Sequence, residues 1–346
     1  MYQTGSVILA SDLNTFLTTV QRVYGVGTGD HGYGQTAITQ TAVKIGDIIR
    51  SLHWTNLRSM IVVCANHQGT GLNVLPTAEV FAVGEIIFAY EGESYEFRVD
   101  LNGADEPLGG WGTTSEFLTD VHGGDEVTGY YSFSGDATAT SLPIYVGAID
   151  TNRLNVAPTA LSVASNVWSI SRPTPWLPSI TAEVSTVWMS EDAARAFFNS
   201  GGEIRLRGSH PAGGAQAVHW NDTLVNGVGT VKFGMYSTSN TGSLSGSRTV
   251  GYYTLTNAYQ TIFAAGTSGS DQVSGADVHI AAKRLNYSGI RGGNGTGVQF
   301  TIILTDTGFY DTVTNAAGLT FAFDTVKATT FLSGIASPNY QTIDPF

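Results

Sequence analysis

The chain has 346 residues, more than one hydrophobic core usually serves, so two or three compact units are expected. Only 13% of residues are charged, the formal net charge is -12, and lysine occurs solely at Lys44, Lys232, Lys283 and Lys327. That balance excludes a nucleic-acid partner, which needs clustered basic residues, and it is too apolar for a disordered chain. Glycine, serine, threonine and asparagine fill the surface instead, a composition suited to neutral hydrogen bonding with neighbouring subunits or sugars.

The N-terminus opens with a duplicated unit. GSVILASDLNTF, from Gly5 to Phe16, aligns with GDIIRSLHWTNL, from Gly46 to Leu57, and each copy reads as a strand followed by a helix. In the first, Ser11 is a candidate cap, and Leu13, Phe16, Leu17 and Val20 recur at helical spacing to an end near Tyr24. In the second, Ser51 lies in the capping region, Trp54, Leu57, Ile61 and Cys64 form the stripe, and Gly69 stops the helix. The two stripes are expected to pack on each other or on a neighbouring subunit. Leu13, Phe16, Val20, Trp54, Leu57 and Ile61 are the interface candidates, with Trp54 as a packing anchor and Cys64 as a small buried hydrophobe.

Between the copies runs GVGTGDHGYGQ, whose Gly25, Gly27, Gly29, Gly32 and Gly34 read as a flexible joint. It contains G-x-G-x-x-G, but a dinucleotide loop joins a strand to a helix N-terminus and this one follows a helix, so no cofactor is expected. Asp30 and the alternating glycines supply too few oxygens for calcium.

Beyond Pro76 the helical period gives way to short runs at Val80–Tyr90, Tyr95–Asp100, Tyr130–Phe133 and Leu142–Ala148, separated by turn clusters such as Leu101–Gly112 and His122–Asp125. Leu154–Ser171 continues this region, and Pro173, Pro175 and Pro178 suggest a linker. A second strand set follows at Ile180–Met189. Ser190 then caps a short helix through Asn199, ended by Gly201 and Gly202. The remaining segments are Glu203–Arg207, Trp220–Val225, Val231–Tyr236, Val250–Leu255, Thr261–Ala264, Val278–Ala282, Val298–Leu304 and Leu319–Phe323. The expected fold class is therefore mainly β with a small α-helical N-terminal unit and antiparallel β-sandwich domains. Domains are expected at 1–75 (attachment or oligomerisation), 76–178 (β) and 179–346 (β-sandwich with a helix near 190–199).

No catalytic constellation emerges, and the chain reads as non-enzymatic. The histidines, at 31, 53, 67, 122, 210, 219 and 279, include no pair at zinc-motif spacing, so no metal is expected. Carboxylates that could serve glycoside hydrolysis, Asp100, Asp105 and Glu106 or Asp306 and Asp311, lie in turn-rich sequence where aspartate serves its own backbone. There is no G-x-S-x-G elbow. Trp111, Tyr130, Tyr131, Tyr252, Tyr253, Tyr287 and Tyr310 could stack on sugars, but strand-end aromatics are also ordinary core-edge residues. The N-terminus has no signal-peptide pattern and no apolar run long enough to span a membrane, so synthesis in a cytoplasm without membrane insertion is expected.

The pattern G-x-V-I-x-A-x-D-x-N followed by YGVGTGDHGYGQ, HWTNLR and Asn66-His67-Gln68-Gly69 resembles N-terminal regions of virion structural and tail-fibre-like proteins of tailed bacteriophages, notably those of cyanobacteria. AFFNSGGEIRLRGS, from Ala196 to Ser209, with Trp220 and ILTDTGF at Ile303–Phe309, resembles the C-terminal β region of such proteins. These stretches cover the first seventy residues and much of the last hundred and sixty, and the middle matches nothing familiar. The resemblance implies a virion location and a non-enzymatic tail, neck or fibre component. Its implied partners are copies of itself, a trimer among the options, other virion proteins and host surface glycans. A capsid-decorating or tube-forming subunit and a glycan-binding or depolymerising receptor protein are the alternatives. The repetitive shaft sequence of a long fibre is missing.

Overall fold

The computed structural model describes residues 10–25, 32–36, 42–44, 51–70, 96–99, 117–120, 142–176, 178–211, 215–267, 276–285, 295–306 and 318–346. The chain divides into two compact units, Met1–Gly25 with Thr36–Asn155, and Val26–Gln35 with Val156–Phe346. Chain continuity therefore crosses between them three times.

In the first unit, α1 (Ala10–Tyr24), α2 (Ser51–Gln68) and α3 (Leu142–Thr151) pack pairwise on one another. The apolar spacing of α1 and α2 turns Leu13, Leu17 and Val20 on one helix and Leu57, Met60, Ile61 and Cys64 on the other away from solvent. Each such side chain contributes roughly 1.5–3 kcal/mol through burial. Gly69, at φ 65, ends α2 in the left-handed conformation, and the Thr70 amide closes the turn on the Ala65 carbonyl at 2.9 Å. Polar ties fix the bundle: Gln68 donates to the Ile149 carbonyl at 2.9 Å, and Asp150 on α3 pairs with Arg22 at 2.6 Å and Arg153 at 2.8 Å. Two short strands, β1 (Glu96–Val99) and β2 (Phe117–Asp120), pair antiparallel. The strand candidates at Val80–Tyr90 and Tyr130–Phe133, and the strands expected before α1 and α2, lie outside the described residues.

The second unit contains two five-stranded antiparallel sheets. One has the order β3 (Leu161–Arg172), β11 (Leu319–Ala328), β5 (Glu203–Ser209), β6 (Thr230–Phe233), β7 (Thr238–Asn240). The other has β12 (Asn339–Asp344), β4 (Ser179–Val187), β10 (Gly297–Asp306), β9 (Ala276–Leu285), β8 (Gln260–Gly266). The prolines after Arg172 lie within this unit, connecting an edge strand of one sheet to the other sheet. On β10, flanked on both sides, Val298, Phe300, Ile302 and Leu304 are fully buried, and Gln299 and Thr301 nearly so.

The sheets meet through aromatic contacts, Phe233 to Phe300 at 5.4 Å and Phe300 to Phe323 at 6.3 Å between ring centroids. A helix completes this core. In α4 (Glu191–Asn199) the Ser190 hydroxyl accepts from the Ala193 amide at 3.1 Å, and Gly201, at φ 84, turns the chain out. A Cβ on Gly201 would sit 2.7 Å from Val156, so the close approach also demands glycine. Phe198 stacks on Tyr252 at 4.4 Å and meets Trp188, Phe197 and Phe233 at 5.3, 5.0 and 5.8 Å. Such pairs add about 0.5–1.5 kcal/mol each beyond burial.

The expectation of a mainly β chain with a small N-terminal helical unit is overturned. Among the described residues the fold is mixed α/β, 31% helix and 37% strand, with helices distributed from Ala10 to Val228. Three segments account for much of the difference. Leu142–Ala148, whose short apolar run predicts a strand, is α3: Tyr145, Val146 and Ile149 are buried at helical spacing, and the packing against α1 and α2 overrides the local pattern. Trp220–Val225 belongs to α5 (Ala215–Asp222) and the π-helical Thr223–Val228 that continues it. Val250–Leu255 holds a 3₁₀ turn at Tyr252–Thr254, where the Thr254 hydroxyl accepts from the Gly251 amide at 2.8 Å and the Tyr252 and Tyr253 amides bond Gly234 and Met235 carbonyls at 3.0 Å.

Candidate functional site

The residues singled out in the duplicated helices are brought together inside the first unit. Leu13, Val20, Leu57 and Ile61 have no exposed surface and Phe16 is 9% exposed, so their stripes are covered within the chain. The Trp54 side chain lies outside the described residues. Cys64 is fully buried, and burial pushes its thiol up to about 12, which keeps it protonated and unreactive. The neighbouring Tyr24 hydroxyl is pushed up to about 12 by burial and then by Cys64.

The glycine-rich stretch divides between the units. Gly25 closes α1 through its amide to the Gln21 carbonyl at 2.8 Å, whereas Gly27, Gly29, Asp30 and His31 lie outside the described residues. Gly32 to Gln35 is docked in the second unit. The Asn199 side chain, fully buried at the end of α4, donates to the Gly32 carbonyl at 2.9 Å and accepts from the Tyr253 hydroxyl at 2.7 Å. Tyr33 is fully buried beside this clamp. Gly34, at φ 71, turns the chain so that Gln35 donates to the Ser333 carbonyl at 3.0 Å and accepts from the Ser333 amide at 3.1 Å. Gly32 and Gly34 therefore sit in an anchored strap at this end of the stretch. Nothing local in the sequence signals Asn199 or Ser333 as its partners.

Three further polar clusters belong to the second unit. At a bulge in β3, Asn166 adopts φ 53, its amide donates to Asp324 at 2.8 Å, and Arg207 binds the same carboxylate bidentately at 2.7 and 2.8 Å. Burial raises the Asp324 carboxyl, and the Arg207 and Asn166 hydrogen bonds more than offset this, leaving it below the usual carboxylate range. On β4, the Glu183 carboxylate accepts from Tyr259, Gln299 and Thr301 at 3.0, 2.8 and 3.2 Å, and Tyr259 is 40% exposed. Near α5, the Trp220 indole donates to Asp306 at 3.2 Å, while the His210 amide donates to Asn221 at 3.1 Å. His210 is fully buried, and burial lowers its imidazole pKa, partly countered by a bond with the Pro211 carbonyl.

Asp306 thus engages a core tryptophan, and its candidate companion Asp311 lies outside the described residues, as do Asp100, Asp105 and Glu106. Tyr252 is fully buried, its hydroxyl donating to the Gly295 carbonyl at 2.6 Å with Arg284 over its ring, and Tyr253 is committed to the strap clamp. Tyr252 is a core residue, and Tyr253 is half-buried with its hydroxyl held by Asn199. Trp111, Tyr130, Tyr131, Tyr287 and Tyr310 lie outside the described residues. Among the described residues no group of three or more histidine, cysteine, aspartate or glutamate side chains could hold a metal ion, and no helix is long and apolar enough to cross a membrane.

Among the described residues, the second unit carries exposed positions on two edge strands. β3 and β12 are each an edge strand of its sheet, and Tyr340 of β12 packs on β11, its ring 5.7 Å from Phe323 and its hydroxyl 2.5 Å from the Thr325 hydroxyl. Residues 162–167 of β3 and 341–344 of β12 are exposed, including Val163 at 51% and Ile343 at 52%. At the far edge of the first sheet β7 has three residues, and Thr238 exchanges backbone bonds with Arg248 at 2.9 and 3.0 Å.

Comparison with protein-family models, curated proteins and solved structures finds no significant match to this chain.

Proposed function

We propose that the chain is a non-enzymatic structural subunit of a tailed-phage virion, a tail, neck or fibre component that self-associates and presents its second unit outward. The observation that carries this reading is the long, exposed edge of β3, whose sole charged residue is Arg172, the kind of strand that isolated proteins protect with charge, proline or a covering element. The low charge content supports it, as a repeated subunit meets its neighbours through neutral polar surface. The N-terminal and C-terminal motifs that resemble virion proteins supply the setting. Light scattering of the purified full chain tests the reading, with an oligomer expected; a monomer at high concentration that also enters the particle as isolated copies overturns it.

A second reading, binding of host glycans, has one observation in its favour. The half-exposed Tyr259 ring lies beside the Glu183 carboxylate and the Gln299 amide, an aromatic surface next to hydrogen-bonding groups. Retention of the chain on host polysaccharide, lost in Tyr259→Ala, would favour it.

A further inference from the structure

Asp150, Glu191, Glu203 and Asp324 each pair with an arginine, and Asp306 accepts from the Trp220 indole. Glu183 is different: among the described residues it has no lysine, arginine or histidine partner. Its hydrogen bonds come from the neutral groups of Tyr259, Gln299 and Thr301, and the residue opposite it in register on β12 is a second carboxylate, the exposed Asp344. Like charges opposed across two strands are destabilising, so this corner of the sheet carries negative charge that nothing described balances.

A second observation comes from Ser185. Ile180, Ala182, Val184 and Thr186 of β4 are buried in the core, and alternation puts Glu183 and Ser185 together on the other face. Ser185 is only 2% exposed, yet its hydroxyl has no hydrogen-bond partner, a state that costs stability until something bonds it. Gln299 stands opposite Ser185 in register. Because a carboxylate only accepts, Gln299 turns its amide nitrogen to Glu183 and keeps its carbonyl oxygen as an acceptor.

We propose that this face of β4 and β10 binds a primary ammonium group. A carboxylate offers about four acceptor positions, and the protein fills all but one at Glu183. That position, the Gln299 carbonyl and the Ser185 hydroxyl match the N–H donors of an ammonium. The half-exposed Tyr259 ring, held beside Glu183 by its own hydroxyl, adds a surface that attracts a cation. Charge selects this ligand: a neutral sugar would satisfy the hydrogen bonds and leave Glu183 and Asp344 unbalanced. The ammonium belongs either to a lysine side chain of a partner protein or to an amino sugar, and only the second source rests on the glycan reading above.

Saturation-transfer NMR titrations of the full chain test this with Nα-acetyl-lysine N-methylamide, glucosamine and the uncharged N-acetylglucosamine. One or both charged probes are expected to bind and N-acetylglucosamine is not; a response to the lysine probe alone identifies a protein source, and to glucosamine alone an amino sugar. Glu183→Gln, which keeps the shape of the side chain, should weaken binding at least about tenfold, and Asp344→Asn about two- to fivefold. Ser185→Ala should weaken binding about threefold without lowering the melting temperature, since it removes a hydroxyl that the fold leaves unpartnered. Lys283 holds the register position opposite Gln299 on β9, so Lys283→Met, which removes a competing ammonium, should bind at least as tightly as the native chain. N-acetylglucosamine binding as tightly as glucosamine overturns the ammonium site and leaves the glycan reading standing. Failure of both charged probes to bind, or binding indifferent to Glu183→Gln, overturns the site, while retention on polysaccharide decides the glycan reading separately.

Discussion

In the first unit, Leu13, Val20, Leu57 and Ile61 are buried along helical stripes, with Arg22 of α1 and Gln68 of α2 tied to Asp150 and Ile149 of α3. In the second, Phe198 lies among four aromatic rings, and Asn199, next to it in sequence, holds a strap from the far N-terminus. The first arrangement needs only periodic apolar residues and tolerates exchange among them. The second depends on ring orientation and on hydrogen bonds between residues far apart in sequence, so it is more specific and less forgiving.

The largest test compares the two cores directly. Phe198→Ala removes the ring at the centre of the aromatic cluster and should cost about 3–5 kcal/mol, whereas Leu57→Ala in the helical stripe should cost about 2–5 kcal/mol. Urea unfolding followed by fluorescence and circular dichroism should show each variant lowering a different transition. A common shift of a single transition would merge the two units into one cooperative structure.

A smaller effect probes the polar side of the contrast. Asp324→Asn takes the charge from the bidentate Arg207 partner and weakens the bond to the Asn166 amide, at an expected cost of about 1–3 kcal/mol. Because Asp324 lies below the usual carboxylate range when folded, its contribution is present at neutral pH and is lost as pH falls through that lowered value. Calorimetry at pH 7 that finds Asp324→Asn as stable as the native chain would mean that the bulge is held by the β3–β11 ladder alone.

The smallest effect concerns His210. Its imidazole is neutral in the fold with a pKa below the usual 6.5, so between that lowered value and 6.5 the unfolded chain binds a proton that the folded chain does not. Stability should be greatest above pH 6.5 and fall as pH drops through this window. Melting temperatures from pH 7.5 to 5 should show a shallower decline for His210→Gln; an unchanged slope would assign the dependence to other groups.

The same contrast explains what could be read from the chain. The 3.6-residue spacing of Leu13, Phe16 and Val20, and of Leu57, Ile61 and Cys64, is a local signal, and so is the Ser190 cap before Phe197 and Phe198. The apolar residues Val298, Phe300, Ile302 and Leu304, two apart, are likewise a local signal, because that face of β10 lies in the core. The identity of α3 was hidden, since Ile144, Val146 and Ile149 favour a strand until α1 and α2 supply a surface at helical spacing. The exposed edge positions of the second unit were hidden for another reason. Exposure of Val163 and Ile343 depends on the order of strands within each sheet, which no local pattern encodes.

The strap has a consequence for synthesis. Gln35 and Ser333 are 298 residues apart, so at 5–20 residues per second roughly 15–60 s separate their emergence from the ribosome. Throughout that interval α1 and α2 are available to associate, while the seat for Tyr33 and Gln35 does not yet exist. Completion of the second unit is therefore a late event in the life of the nascent chain. A truncation before Ser333 would leave Gln35 with no seat and should yield a protein whose second unit never closes on its N-terminal segment.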